Sequence, residues 1–266
     1  MQFTKMQGLG NDYIYLNCLE GEPADLPGLA VALSRPHFGV GADGLICICP
    51  SGRADAAMRI FNADGSEGEM CGNGIRCVGK YLYEKGLTRK TTLSIDTLAG
   101  VKILTLAVTD GRVTSVTVDM GRPQVGQPVS LTAAGQTFSV WPVDMGNPHA
   151  VIFVPDAGAV DLERLGPEME THPYFPNRTN TEFVQVLDRR RLALRVWERG
   201  SGATLACGTG ACAALAAGVR AGYADREVRA ELPGGALQLC WNEQDNHIYM
   251  TGPAETVFEG TWEGGL

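Results

Sequence analysis

Along most of this chain apolar residues either alternate with polar ones or run unbroken over short stretches, a β pattern, and only two long stretches change to the helical period. Phe3–Met6 and Tyr13–Leu16 suit short strands around the turn Gly8-Leu-Gly-Asn-Asp12, and residues 24–35 suit a short helix. The loop Gly39-Val-Gly-Ala-Asp43-Gly44 leads into Leu45-Ile-Cys-Ile-Cys49, which reads as a buried strand with Cys47 and Cys49 on one face. Ile75–Lys85 has helical periodicity and stops at Gly86, the place of a C-cap glycine. Ala211–Ala221 is an apolar helix rich in small residues, stopped by Gly222. Lys102–Val108 and Arg112–Val118 flank Asp110-Gly111, a dipeptide that accepts the positive φ angles of a tight hairpin. Further strands are expected at 137–143, 149–154, 182–187, 192–197, 236–241 and 247–251. One long helix wrapped by many strands in each half gives an α+β domain used twice.

The two halves repeat one another. Met58-Arg-Ile-Phe-Asn-Ala-Asp-Gly-Ser-Glu-Gly-Glu-Met-Cys71-Gly-Asn-Gly74 reads as a strand, a polar glycine-rich turn and a cysteine at a helix start. Leu194-Arg-Val-Trp-Glu-Arg-Gly-Ser-Gly-Ala-Thr-Leu-Ala-Cys207-Gly-Thr-Gly210 repeats it without a gap, 136 residues later. The same offset places Gly10-Asn11 on Gly146-Asn147, Arg59 on Arg195 and Gly86 on Gly222. Glycine matches alone are cheap in a chain with 34 glycines, whereas Asn and Cys matches at one offset are not. We therefore expect an α+β fold of two pseudo-symmetric domains from an internal duplication, each a β-rich barrel-like sheet around a central helix. The first domain would comprise residues 1–120 plus 254–266 and the second 121–253, with the boundary at Met120-Gly-Arg-Pro123 and residues 254–262 returning as a strand to the first half.

At 266 residues, two domains fit the usual size of a single core. With 44% hydrophobic and 20% charged residues the composition is that of a soluble globular protein, and no apolar run is long enough to span a membrane. The N-terminus lacks the pattern of a signal peptide, so the chain is expected in the cytoplasm and its eight cysteines as thiols. A net charge of −8 with no basic tract argues against nucleic-acid binding. Arg189-Arg190-Arg191 reads as a solvated turn between two strands. No Cys-x-x-Cys pair occurs and the four His are scattered, so no metal site is expected. Cys18, Cys47, Cys49 and Cys240 read as buried structural thiols, and Cys77 and Cys212 as packing residues inside the helices.

A cysteine immediately before Gly-x-Gly at a helix start faces open backbone N–H groups and the positive end of the helix dipole, and both lower the thiol pKa. The same N–H groups can hold a substrate carboxylate. Two such cysteines related by a duplication point to chemistry at one carbon from both sides. A thiolate removes the α-proton while a thiol delivers a proton to the opposite face, which inverts the centre. No motif for pyridoxal phosphate or another cofactor is present, so the developing enolate would rely on the helix N-termini and on exclusion of water.

These stretches, together with Gly8-Leu-Gly-Asn-Asp-Tyr13, Met145-Gly-Asn-Pro-His149 and Asn177-Arg-Thr-Asn180, resemble the diaminopimelate epimerases from residue 3 to residue 262. The resemblance implies a cofactor-free isomerase that interconverts LL- and meso-diaminopimelate on the route to lysine and peptidoglycan, with Cys71 and Cys207 as the acid–base pair. It implies that His149 and Glu198 support the chemistry and hold the α-amino group. Asn11, Asn62, Asn147, Asn180 and Arg199 would be substrate contacts, with Gly72-Asn73 and Gly208-Thr209 supplying donors at the two helix starts. The only partners implied are the small-molecule substrate and a second copy of the chain in a homodimer. Asp12, Asp43 and Asp64 read as turn residues. Where some members carry Gln after the Gly-x-Asp of the first loop, this chain has Gly44, so that side-chain contact is absent. The alternatives are a two-cysteine proline or hydroxyproline epimerase, against which stands the lack of a His after Cys71, and, in another class, a thiol-redox or amino-acid-binding protein.

Overall fold

The computed structural model describes residues 1–264. The chain divides into two compact units, one formed by Met1–Val118 with the segment from Gly252 onward, the other by Asp119–Thr251. Residues 265 and 266, the last two of the segment assigned to the first half, lie outside the described residues.

The first unit contains β1 (Gln2–Gly8), β2 (Asn11–Asn17), α1 (Leu26–Ser34), β3 (Gly44–Cys49), β4 (Ala56–Asn62), β5 (Glu67–Gly68), α2 (Gly72–Glu84), β6 (Thr92–Asp96), β7 (Lys102–Thr109) and β8 (Arg112–Asp119). The second contains β9 (Gln124–Val125), β10 (Val129–Ala133), β11 (Gln136–Asp144), β12 (Pro148–Phe153), α3 (Leu162–Glu170), β13 (Asn180–Asp188), β14 (Arg191–Glu198), β15 (Gly202–Thr204), α4 (Gly208–Arg220), β16 (Glu227–Leu232), β17 (Gly235–Trp241) and β18 (Ile248–Gly252). The last strand, β19 (Glu255–Thr261), returns to the first unit and pairs antiparallel with β1.

In the first unit the strands run β19-β1-β2-β3-β4-β6-β7-β8, parallel at β2/β3 and β4/β6 and antiparallel elsewhere, with β5 folded onto the end of β4. In the second they run β10-β11-β12-β13-β14-β16-β17-β18, parallel at β12/β13 and β14/β16, with β15 on the end of β14. The order and the parallel positions match one for one.

Each sheet is covered twice. On one face of the first, Leu26, Leu29, Ala30 and Leu33 of α1 pack with Leu45, Cys47 and Phe61. On the other lies α2, buried from Gly72 to Leu82, with Gly74 against Ile46 and Gly79 against Leu104, Leu106 and Val116. All six residues of β3 are therefore buried, and its sequence shows an unbroken apolar run instead of alternation. The buried Arg76 of α2 donates to the Pro253 carbonyl at 3.0 Å and ties the returning segment to the helix. In the second unit α3 places Leu162, Leu165 and Met169 against Phe183, Ala150 and Ile152, while α4 lies on the face to which Glu182 points, its Gly210 against that side chain.

The α+β architecture agrees with the expectation, and α1 is the short helix expected at 24–35, but the second unit has such a helix too. α3 was not expected, because Gly166 and Pro167 interrupt its helical signal; Asp161 caps it by accepting from the Arg164 N–H. The short strands β5, β6, β9, β10, β15 and β16 were also absent from the sequence reading. Cys240 corrects a second expectation: Leu237, Leu239 and Trp241 of β17 point inward, so Cys240 faces outward beside Glu227 and is only half-buried. Cys18, Cys47 and Cys49 lie in the core, and Cys77 and Cys212 are buried in their helices. Arg189 and Arg190 form the exposed β13–β14 turn, paired with Asp225. No helix among the described residues is long and apolar enough to cross a membrane.

Candidate active site

Both cysteines are N-caps, with extended backbone that hands over to the helix at the following glycine. Cys71 Sγ accepts from the Gly74 N–H at 3.3 Å, and Cys207 Sγ from the Gly210 N–H at 3.4 Å. A sulfur in the place of the usual capping oxygen thus meets the N–H of the third helical residue in each unit. Glycine there has a physical reason: a Cβ on Gly74 would lie 2.6 Å from Ile46 Cδ1, and one on Gly210 would lie 2.5 Å from Glu182 Oε1.

In the first unit the Cys71 thiol donates to Asn11 Oδ1 at 3.1 Å, and Asn11 Nδ2 donates to Asp43 Oδ2 at 2.7 Å. Asp43 also accepts from the Asp12 N–H at 3.0 Å, and Asp12 pairs with Lys5. Asp43 is therefore more than a turn residue: it fixes which end of the Asn11 amide faces the sulfur. Burial pushes the Asp43 carboxyl up, while the Asp12 N–H and the Asn11 amide pull it down. Gly72 and Asn73 are buried in the first turn of α2. Asn62 ends β4, exposed, and its amide donates to Ser66 in its own turn at 3.0 Å. Gly44 lies so close to β4 that a Cβ would be 2.2 Å from the Phe61 carbonyl oxygen, so this backbone has no room for a Gln.

The second centre is more heavily charged. Glu198, at the end of β14, lies within hydrogen-bonding reach of the Cys207 thiol and accepts from Thr204 Oγ1 at 2.6 Å. The Thr209 hydroxyl lies 3.6 Å from Cys207 Sγ, and Asn147 Nδ2 lies 3.5 Å from Thr209 Oγ1. Gly208 opens the buried first turn of α4. His149, wholly buried on β12, has Nε2 3.0 Å from Asn147 Oδ1 and Nδ1 2.7 Å from Glu182 Oε1. Asn180 begins β13 and donates to the Pro148 carbonyl at 3.1 Å while accepting from the Arg199 N–H at 2.9 Å. Arg199 Nη1 donates to the Asn177 carbonyl at 3.2 Å. Glu170 of α3 holds the adjoining turn, accepting from Trp197 Nε1 at 2.8 Å and from the Gly200 N–H at 3.1 Å.

The expectation that a helix start lowers the thiol pKa fails at Cys207. Burial and the carboxylates of Glu198 and Glu182 push this thiol well above its usual range, and outweigh the Gly210 N–H and the Thr209 hydroxyl, which act in the other direction. Burial likewise raises Glu198, against the Thr204 and Cys207 hydrogen bonds. Of the expected residues, Asn11 and Cys71 come together in the first unit, and Asn147, His149, Glu198, Cys207 and Thr209 in the second. Glu182 and Thr204 were not anticipated. The signal for Glu182 was available: it stands two residues after Asn180 on one face of a strand, among apolar neighbours.

A family model described as diaminopimelate epimerase matches residues 3–126 and 142–257. The chain is 52% identical to the diaminopimelate epimerase of Acetivibrio thermocellus and 50% identical to that of Desulfovibrio desulfuricans, each match covering 98% of both chains. Among solved structures, a PhzF-family phenazine-biosynthesis protein of Bacillus anthracis matches with a TM-score of 0.76 at 18% identity, covering 98% of each chain. A hydroxyproline epimerase of Agrobacterium vitis matches with a TM-score of 0.74, also at 18% identity, over 98% of this chain and 90% of that one. These two share the fold. Paired cysteine caps in a duplicated α+β chain, and half-identical relatives along nearly its whole length, lead to one conclusion: the chain belongs to the diaminopimelate epimerase family.

Proposed function

We propose that the protein epimerises LL-diaminopimelate to the meso form without a cofactor, with Cys71 and Cys207 exchanging the α-proton. The observation that carries this reading is the repeated cap: in each unit one cysteine sulfur takes the place of the N-cap oxygen on a buried helix, at equivalent positions of the duplication. Family membership supplies the substrate.

Cys207 rests as the thiol, because burial and two neighbouring carboxylates oppose its ionisation. It is the proton donor in the turnover in which Cys71, as thiolate, is the acceptor. In the reverse direction the roles exchange, and the Gly210 N–H and Thr209 hydroxyl then hold the Cys207 thiolate. The start of each helix, α2 with Gly72-Asn73 and α4 with Gly208-Thr209, offers donors to a carboxylate whose charge grows as the α-proton leaves. Glu198 serves the α-ammonium end, and His149, wholly buried behind Asn147, supports the chemistry from there. Asn11, Asn62, Asn147, Asn180 and Arg199 complete the contacts to a substrate that is zwitterionic at both ends, where an amide can serve ammonium or carboxylate. A homodimer in the cytoplasm belongs to the same reading.

The test is incubation of the reduced protein with LL-diaminopimelate in deuterated water. α-Deuterium in a newly formed meso isomer is the expected result; exchange on proline or 4-hydroxyproline instead would move the protein to the rival substrate. Cys71→Ser and Cys207→Ser should each lower turnover by roughly 10²-fold or more with the fold retained. Near-normal activity in either variant would remove the two-thiol mechanism.

A further inference from the structure

Glu182 has no solvent exposure, and its Oε2 has no partner among the described residues. A packing position would not retain such a group: a buried carboxylate is costly unless its charge is used. The neighbouring residues of β13, Thr181, Phe183 and Val184, are all buried, and α4 carries glycine at position 210 where any Cβ would strike Glu182 Oε1.

We propose that Glu182 is a positioning residue that sets the direction of a hydrogen-bonded chain running through His149, Asn147 and Thr209 to the Cys207 sulfur. The chain lies within the second unit. Glu182 Oε1 accepts from His149 Nδ1 at 2.7 Å, which fixes the ring. His149 Nε2 faces a second oxygen, Asn147 Oδ1, at 3.0 Å, so the ring stands with each nitrogen against an acceptor. The Asn147 amide is thereby turned with Nδ2 toward Thr209 Oγ1, 3.5 Å away. Thr209 receives that N–H on a lone pair and keeps its own proton for Cys207 Sγ at 3.6 Å. Without the carboxylate the ring loses the acceptor that orients it, the amide is free to turn over, and the Thr209 proton is drawn to Asn147 and away from the sulfur. The charge on Glu182 thus decides whether a thiolate at Cys207 finds a donor when its proton leaves. The other charged group at this thiol is Glu198 from β14, on which His149 of β12 acts in turn.

The inference rests on Cys207 being a reacting thiol, and the experiment separates the two. Glu182→Gln keeps the shape and removes the charge. The variant should fold, lose the low-field Nδ1–H resonance of His149 in histidine-labelled protein, and show kcat for α-proton exchange lowered roughly tenfold or more with KM within about twofold. Thr209→Val should lower kcat similarly, and Thr209→Ser should restore it. The double variant E182Q/T209V should be no slower than the slower single one, because both cut one chain. Wild-type kcat in folded E182Q, or losses that multiply in the double variant, would overturn the proposal. If E182Q does not fold, wild-type kcat in T209V or no recovery in T209S overturns it equally. Wild-type protein that keeps the His149 resonance yet exchanges no amino acid would remove the epimerase reading and leave the chain intact.

Discussion

Burial pushes both Glu198 and Cys207 toward their neutral forms; the Glu198 carboxylate raises the Cys207 thiol further, whereas the Cys207 hydrogen bond acts on Glu198 in the other direction. The folded-state pKa of Glu198 is raised above its ordinary 4.5, so its contribution to stability is fully present below that value and is lost as the pH rises through the folded pKa. Glu198→Gln removes this dependence. The melting temperature of E198Q, measured relative to wild type, should therefore be more favourable at pH 7 than at pH 4; a difference that stays flat with pH would show that burial does not burden this carboxyl. The cysteines themselves were legible, because Cys-Gly-x-Gly before a helical stretch is a local pattern. The high pKa of Cys207 was not, because it comes from burial and from Glu198 and Glu182 on two strands that only the folded sheet sets beside the sulfur. Asp43 was misread for the same reason: its loop looks like a turn, and its contact with Asn11 depends on β2 and β3 lying side by side.

At the level of elements the duplication carries further than the local pattern. α1 begins at Leu26 and α3 at Leu162; each is capped by the Asp before it, and each covers one face of its sheet. A glycine and a proline obscure the period of α3, yet the offset seen at the cysteines would have located it from α1. The same offset sets Gly44 against Asn180, the first residues of β3 and β13. Gly166 is the tight point of α3, since a Cβ there would lie 2.2 Å from Trp197 Cδ2, in a rigid ring and not at the tip of a flexible chain. By helix propensity alone Gly166→Ala should stabilise by about 1 kcal/mol. Against the ring it should destabilise by about 1–3 kcal/mol and displace Trp197 from Glu170, next to Glu198. Urea denaturation with the near-ultraviolet dichroism of tryptophan decides between the two signs.

Over the whole molecule, the repeat in the sequence accounts for two units of one topology, and the α+β class followed from strands outnumbering helices. The short strands escaped notice because they are brief and their pairing is set by neighbours far along the chain. The returning strand β19 lies along β1, and Trp262 and Met1 exchange backbone hydrogen bonds, each at 2.7 Å. Removing residues 253–266 should strip amide protection from β1 and from α2, whose Arg76 loses the Pro253 carbonyl, and leave residues 119–251 protected from hydrogen exchange. Equal loss in both units would show that neither stands alone.

That closure also orders events on the ribosome. The second unit is one continuous stretch and has all its strands as soon as it emerges. The first unit starts earlier and finishes later, because the strand that covers the open edge of β1 is made only after the whole second unit. At ordinary elongation rates the gap is on the order of ten seconds. Throughout it, a nascent β1 edge stands unpaired and able to join another chain, so the newborn protein is most exposed to mispairing before its last strand is synthesised.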